Sequence, residues 1–164
     1  MTGFDAILIL MAVAILLYEV RLDAGLGLLD AVATLFAAHG SRLAAPLVTE
    51  VLRWKPFPGT ELSPLAQGIT FLVLWVAALA VARLLHRQTR WSMDQWDPAF
   101  GLVFGLIIAL TAGHITTAVV GSHEMMVHRK LPGYFANSLL GEELRSFPTY
   151  HYVVDTLRAA QTSR

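Results

Sequence analysis

The sequence predicts an all-α integral membrane protein. Four transmembrane or re-entrant helices are followed by short amphipathic helices toward the C-terminus. Three observations carry this. Hydrophobic residues make up 55% of the 164 positions and charged residues 15%, with a mean hydropathy of +0.57; a soluble domain carries about 25% charged residues. Residues 62–82 and 98–123 form uncharged runs of 21 and 26 residues, where about 20 suffice to span the hydrocarbon core. The segments between apolar runs carry the prolines, arginines and tryptophans expected of loops and interfaces.

The first apolar stretch is the shortest. Asp5 and Glu19 bracket 13 uncharged residues, so a span over 4–20 requires Asp5 in one interface and Tyr18 in the other. Residues 24–41 add 18 more, interrupted by Asp30. They read as a second span or as a tilted or re-entrant helix, paired with the first through a short turn at Arg21–Asp23. A cleaved signal peptide fits 1–20 poorly: no Lys or Arg precedes the apolar stretch, and no small-x-small site follows it.

Residues 46–64 hold Pro46, Pro56, Pro58, Gly59 and Pro64, a density that marks the loop before the next hairpin. The third span is expected over 65–85 and the fourth over 98–121, with Pro98 in its first turn. Trp54, Trp91 and Trp96 read as interface anchors. The connector with Arg83, Arg87 and Arg90 is the densest basic tract beside the spans, which predicts a cytoplasmic connector and external termini. The transmembrane module is thus 1–122, and 123–164 is an extramembrane or interfacial tail. Short amphipathic helices are expected there over 134–145 and 149–160, split at Pro148.

Charge and composition exclude several functions. Twelve basic residues balance twelve acidic ones, which removes a strongly basic nucleic-acid binder. The absence of cysteine removes disulfides, Cys-zinc sites, iron–sulfur clusters and a Cys nucleophile. No phosphate-binding loop, nucleophile elbow or paired catalytic carboxylate motif occurs, so no enzyme and no catalytic residue is expected. The run His123-Glu124-Met125-Met126-Val127-His128 resembles a zinc motif, but its histidines are five residues apart, not four; no metal site is expected.

The fourth span carries Gly101, Gly105, Ala109, Gly113, Thr117 and Gly121, a small residue at every fourth position. This stripe allows close helix approach in lipid, either within the bundle or toward another subunit. Two intramembrane polar residues stand out. Asp30 needs a partner, a wet cavity or a proton, with His39 and His114 as candidate partners. His114 is the candidate for an interhelical hydrogen bond, and more remotely for haem or chlorophyll ligation. No cofactor is otherwise expected.

Four features resemble the CvpA (colicin V production protein) family. They are Phe4-Asp5 at the start of the first span and the glycine-containing turn Asp23-Ala24-Gly25-Leu26-Gly27. The other two are Trp96-Asp97-Pro98 leading into Gly101-xxx-Gly105, and Asn137-Ser138-Leu139-Leu140 in the tail. The resemblance covers about 4–145. Arg21 is offset from the family's usual turn arginine, and Arg83 and His86 add charge at the end of the third span. The resemblance implies a four-helix bacterial inner-membrane protein linked to toxin production and envelope homeostasis, without an established enzymatic activity. Its expected partners are lipid and other membrane subunits, or further copies of itself. The leading expectation is a non-catalytic scaffold or accessory protein. The alternatives are an accessory subunit of a respiratory or photosynthetic complex, and a small transport component using Asp30 and His114.

Overall fold

A computed structural model describes residues 2–53, 62–89, 91–127 and 138–146. The chain is helical: α1 (Gly3–Glu19), α2 (Ala24–Arg53), α3 (Leu62–Thr89), α4 (Asp97–Val127) and α5 (Leu139–Ser146). A 3-10 turn, Asp94–Trp96, leads directly into α4. Three stretches, Ala24–Val51, Ala66–Thr89 and Asp94–Gly121, are long and apolar enough to cross a membrane, which points to a membrane protein. At 17 residues, α1 is shorter than the usual span of about 20.

The helices outrun the sequence boundaries. The second continues from the expected end at 41 through Pro46 to Arg53. Pro46 has no N–H to give the Arg42 carbonyl, yet in apolar surroundings a continuing helix satisfies every other backbone group. The expected loop over 46–64 therefore starts later, and Trp54 with 54–61 lies outside the described residues. The fourth helix runs on to Val127, past the expected module boundary at 122. Of the tail helices, 139–146 is present; His128, 128–137 and 149–160 lie outside the described residues.

The centre of the bundle is α4. It packs against α1 and α5 on one side and against the closely packed α2–α3 hairpin on the other. Contacts fix the directions. Asp30 meets Arg83 and Thr34 meets Trp75, so α2 and α3 are antiparallel. Ala24 meets Asp97 and Arg42 meets His114, so α2 and α4 are parallel. Glu19 meets Gly101, while at the opposite end Asp5 meets Ser138, so α1 runs against α4.

The interior is narrow and built mostly from small residues, with Leu8, Phe71, Ile108 and Ile115 as the large side chains buried among them. Ala24, Ala31, Ala37, Ala66, Ala109 and Ala112 are buried, whereas Leu10, Phe36, Leu43, Leu47 and Val76 are at least 65% exposed. This inverts a soluble core, where large apolar side chains point inward. It is the arrangement expected when lipid solvates the outside and close approach drives helix packing.

Candidate functional site

Polar side chains join the helices at three levels of the bundle. At one end Asp97 begins α4 and accepts three hydrogen bonds. The Ala24 backbone N–H donates to Oδ1 at 2.9 Å, the Met93 N–H to Oδ1 at 2.8 Å and the Ser92 hydroxyl to Oδ2 at 2.6 Å. One carboxylate thus ties the starts of α2 and α4 together, satisfying N-terminal N–H groups that have no partner within a helix. Beside it, a Cβ at Gly25 would collide with the Trp91 carbonyl oxygen, so the connector lies directly on the α2 backbone. The side chains of Trp91 and Trp96 are exposed at this end.

The second level lies just inside. Arg83 Nη1 donates to both carboxylate oxygens of Asp30, at 2.8 and 2.7 Å, and Nη2 donates to the Tyr18 hydroxyl at 2.8 Å. The guanidinium also lies 6.0 Å from the centre of the Tyr18 ring. The Asp30 side chain is 2% exposed and that of Arg83 33%. Above them His86 Nε2 lies 3.2 Å from Asp23 Oδ2. Below them the Trp75 indole donates to the Thr34 hydroxyl, which donates to the Asp30 carbonyl. Glu19 is buried on the same cavity wall as Asp30 and Arg83. Its Oε2 has no hydrogen-bond partner among the described residues.

The third level lies at the far end. Thr2 and Asp5 form a capping box at the start of α1. The Asp5 carboxylate also accepts the Ser138 hydroxyl at 2.5 Å and the Leu140 N–H at 3.2 Å. Ser138 in turn accepts the Gly141 N–H at 2.8 Å, capping α5. Asp5 therefore serves the N-termini of two helices at once, where negative charge is favoured. On α4, His114 Nδ1 donates to the Leu144 carbonyl at 2.6 Å, and Arg42 Nη2 donates to His114 Nε2 at 2.7 Å. An arginine cannot accept, so these bonds specify the Nδ1–H tautomer. Both ring nitrogens are engaged, and axial ligation of a haem or chlorophyll would first have to displace Arg42.

These contacts settle where the singled-out residues go. Asp30 finds Arg83, not His39 or His114. Twelve helical residues separate Asp30 from Arg42, so His114 lies about 18 Å further along the bundle. Arg83 belongs to α3 itself and faces Asp30; the sequence counted it both at the end of the third span and in the basic connector. The glycine stripe faces this chain's own helices. A Cβ at Gly101 would sit 2.5 Å from the Glu19 carbonyl oxygen, one at Gly105 3.1 Å from Glu19 Cβ, and one at Gly113 2.9 Å from Leu144 Cδ1. Ala109, Thr117 and Gly121 continue the buried face. No group of three or more His, Asp or Glu side chains fit to hold a metal occurs among the described residues.

No family model, curated protein or solved structure matches this chain. The bundle's own geometry therefore carries the functional argument. In the sequence Asp5 and Glu19 served only as the charged ends of the first apolar stretch, with Asp5 also in a family motif, and neither was given a place in the site. The available signal was the position of both acids at the ends of an apolar helix, where an inward-facing carboxylate needs a donor.

Proposed function

We propose that this chain is a non-catalytic membrane scaffold or accessory protein of the CvpA-like kind, held in a bacterial inner membrane by four helices. The docking of α5 supports it best. Leu144 sits on Gly113, its carbonyl receives His114, and Asp5 caps the start of α5. A tail helix closed on its own bundle suits an autonomous module better than a tail extended over larger subunits. The hydrogen-bonded polar side chains also work in helix junctions: the hydroxyls of Ser138 and Ser92 donate to carboxylates that cap helix starts. A transport role linking Asp30 to His114 is less favoured, because about 18 Å of helix separates them and each has its own arginine.

Extraction from the native membrane in mild detergent, with particle mass and absorption recorded together, tests the proposal. The expected particle is colourless, with a protein mass one to four times the 18.0 kDa chain. A particle of hundreds of kilodaltons with co-migrating haem or pigment bands would instead make the chain a subunit of an energy-converting complex.

A further inference from the structure

Between α1 and α3 packing is sparse, and a lateral cleft opens there over α4. Its apolar part has a volume of about 470 Å³ and is lined by Met11, Gly68, Phe71, Leu72 and Val119. A polar part of about 380 Å³ continues from it and is lined by Tyr18, Glu19, Asp30 and Arg83. Both parts share Ala14, Ile15 and Trp75. From Gly68 to Arg83 the cleft follows 15 residues of helix, about 22 Å. That exceeds half of a hydrocarbon core of about 30 Å, so the chain of a lipid from one leaflet fits along it.

Charge at the polar end selects the head of the occupant. Asp30 and Arg83 cancel, leaving one carboxylate, Glu19. It lines the polar part and is 3% exposed; its Oε2, which has no donor among the described residues, lies beside Gly27, so a head group meets the carboxylate once the side chain turns toward the cleft. An uncompensated buried carboxylate is costly, and a ligand ammonium would supply both charge and N–H donors. The Arg83 side chain is 33% exposed. Its bonds to Asp30 and Tyr18 use three of five N–H groups, which leaves two for an anion at the mouth of the cleft.

We propose that the cleft holds one acyl chain of an amine-bearing phospholipid, with the ammonium on Glu19 and the phosphate toward Arg83. A choline head carries the charge but has no N–H to donate, and a glycerol head lacks the cation. The inference rests on the chain's lying in a membrane and not on its role as a scaffold. The lipid ratio below therefore fails or succeeds independently of the particle mass above.

The test is native mass spectrometry of the full chain released from vesicles containing equal amounts of phosphatidylethanolamine, phosphatidylcholine and phosphatidylglycerol with identical acyl chains. The wild type is expected to retain one lipid per chain. It should prefer phosphatidylethanolamine about tenfold, the ratio that a charge-assisted hydrogen bond supplies. Glu19→Gln should abolish the preference while keeping the lipid. Ala14→Phe, at the exposed junction of the two parts, should lower retention of all three lipids together. Equal retention of the three by the wild type would overturn the proposal, and this comparison needs no variant to fold. A preference unchanged in Glu19→Gln, or a lipid-free dimer with the cleft closed by a second copy, would overturn it equally.

Discussion

Replacing Arg83 with methionine tests the pair at the centre of the bundle. The aliphatic length is kept, but Asp30 loses the donor that reaches both its oxygens at 2.7–2.8 Å. Asp30 stays 2% exposed at the side chain, so its charge is left without compensation. Breaking a fully buried ion pair from one side costs about 3–5 kcal/mol. Arg83 is one-third exposed, which places this pair at the low end, about 3 kcal/mol. Asp30→Asn alone keeps an oxygen acceptor for Arg83 and should cost about 1 kcal/mol. The double variant removes both charges and should lose only about 2 kcal/mol, which leaves a coupling of about 2 kcal/mol between the sites. Unfolding in mixed micelles, titrated with SDS and followed by far-ultraviolet circular dichroism, reads all four corners of the cycle. Strictly additive losses, or Arg83→Met within about 0.5 kcal/mol of wild type, would refute the claim that this pair holds α2 to α3.

Other junctions give further tests. Gly101→Ala places a Cβ against the backbone of Glu19 and Val20, so α1 must move off α4. The same unfolding assay should show a loss of about 1–3 kcal/mol. Gly105→Ala, which meets the more yielding side chains of Glu19 and Leu16, should lose less; the reverse order would contradict the packing described. Asp5→Ala removes the acceptor shared by Ser138, Leu140 and Thr2, at a cost of about 1–2 kcal/mol. Faster hydrogen exchange at the amides of 139–146 is the expected readout, and unchanged protection would mean that α5 is held by other contacts. Whether α1 crosses the bilayer is decided by single cysteines at Gly3 and Arg21, clean probes in a cysteine-free chain. Labelling from opposite sides is expected, and labelling from one side would reduce the crossing helices to three.

Much of the architecture was legible because lipid makes a one-dimensional demand. A run of about 20 uncharged residues is already a spanning helix, so 62–82 and 98–123 announced α3 and α4. The four-residue period of small side chains likewise marked the buried face of α4, since close approach is the main attraction available between helices in lipid. Helix ends were less legible. Pro46 normally signals a break, but the helix around it continues, because the alternative exposes several backbone groups to apolar surroundings.

Sequence alone determined the class of protein: apolar helices, a balanced charge, no cysteine chemistry, and a stripe built for close packing. Those properties follow from composition and from spacing within single helices, and neighbours do not alter them. Partners were decided only by tertiary structure. Asp30 had a histidine nine residues on and another in the fourth span as candidate partners, yet its ion pair is with an arginine 53 residues away. Asp5 waits for a serine 133 residues away. The stripe that suited another subunit or this one is filled by α1 and α5. Which donor meets a buried acceptor depends on helix order, direction and rotation, and these are set by the whole bundle packing at once.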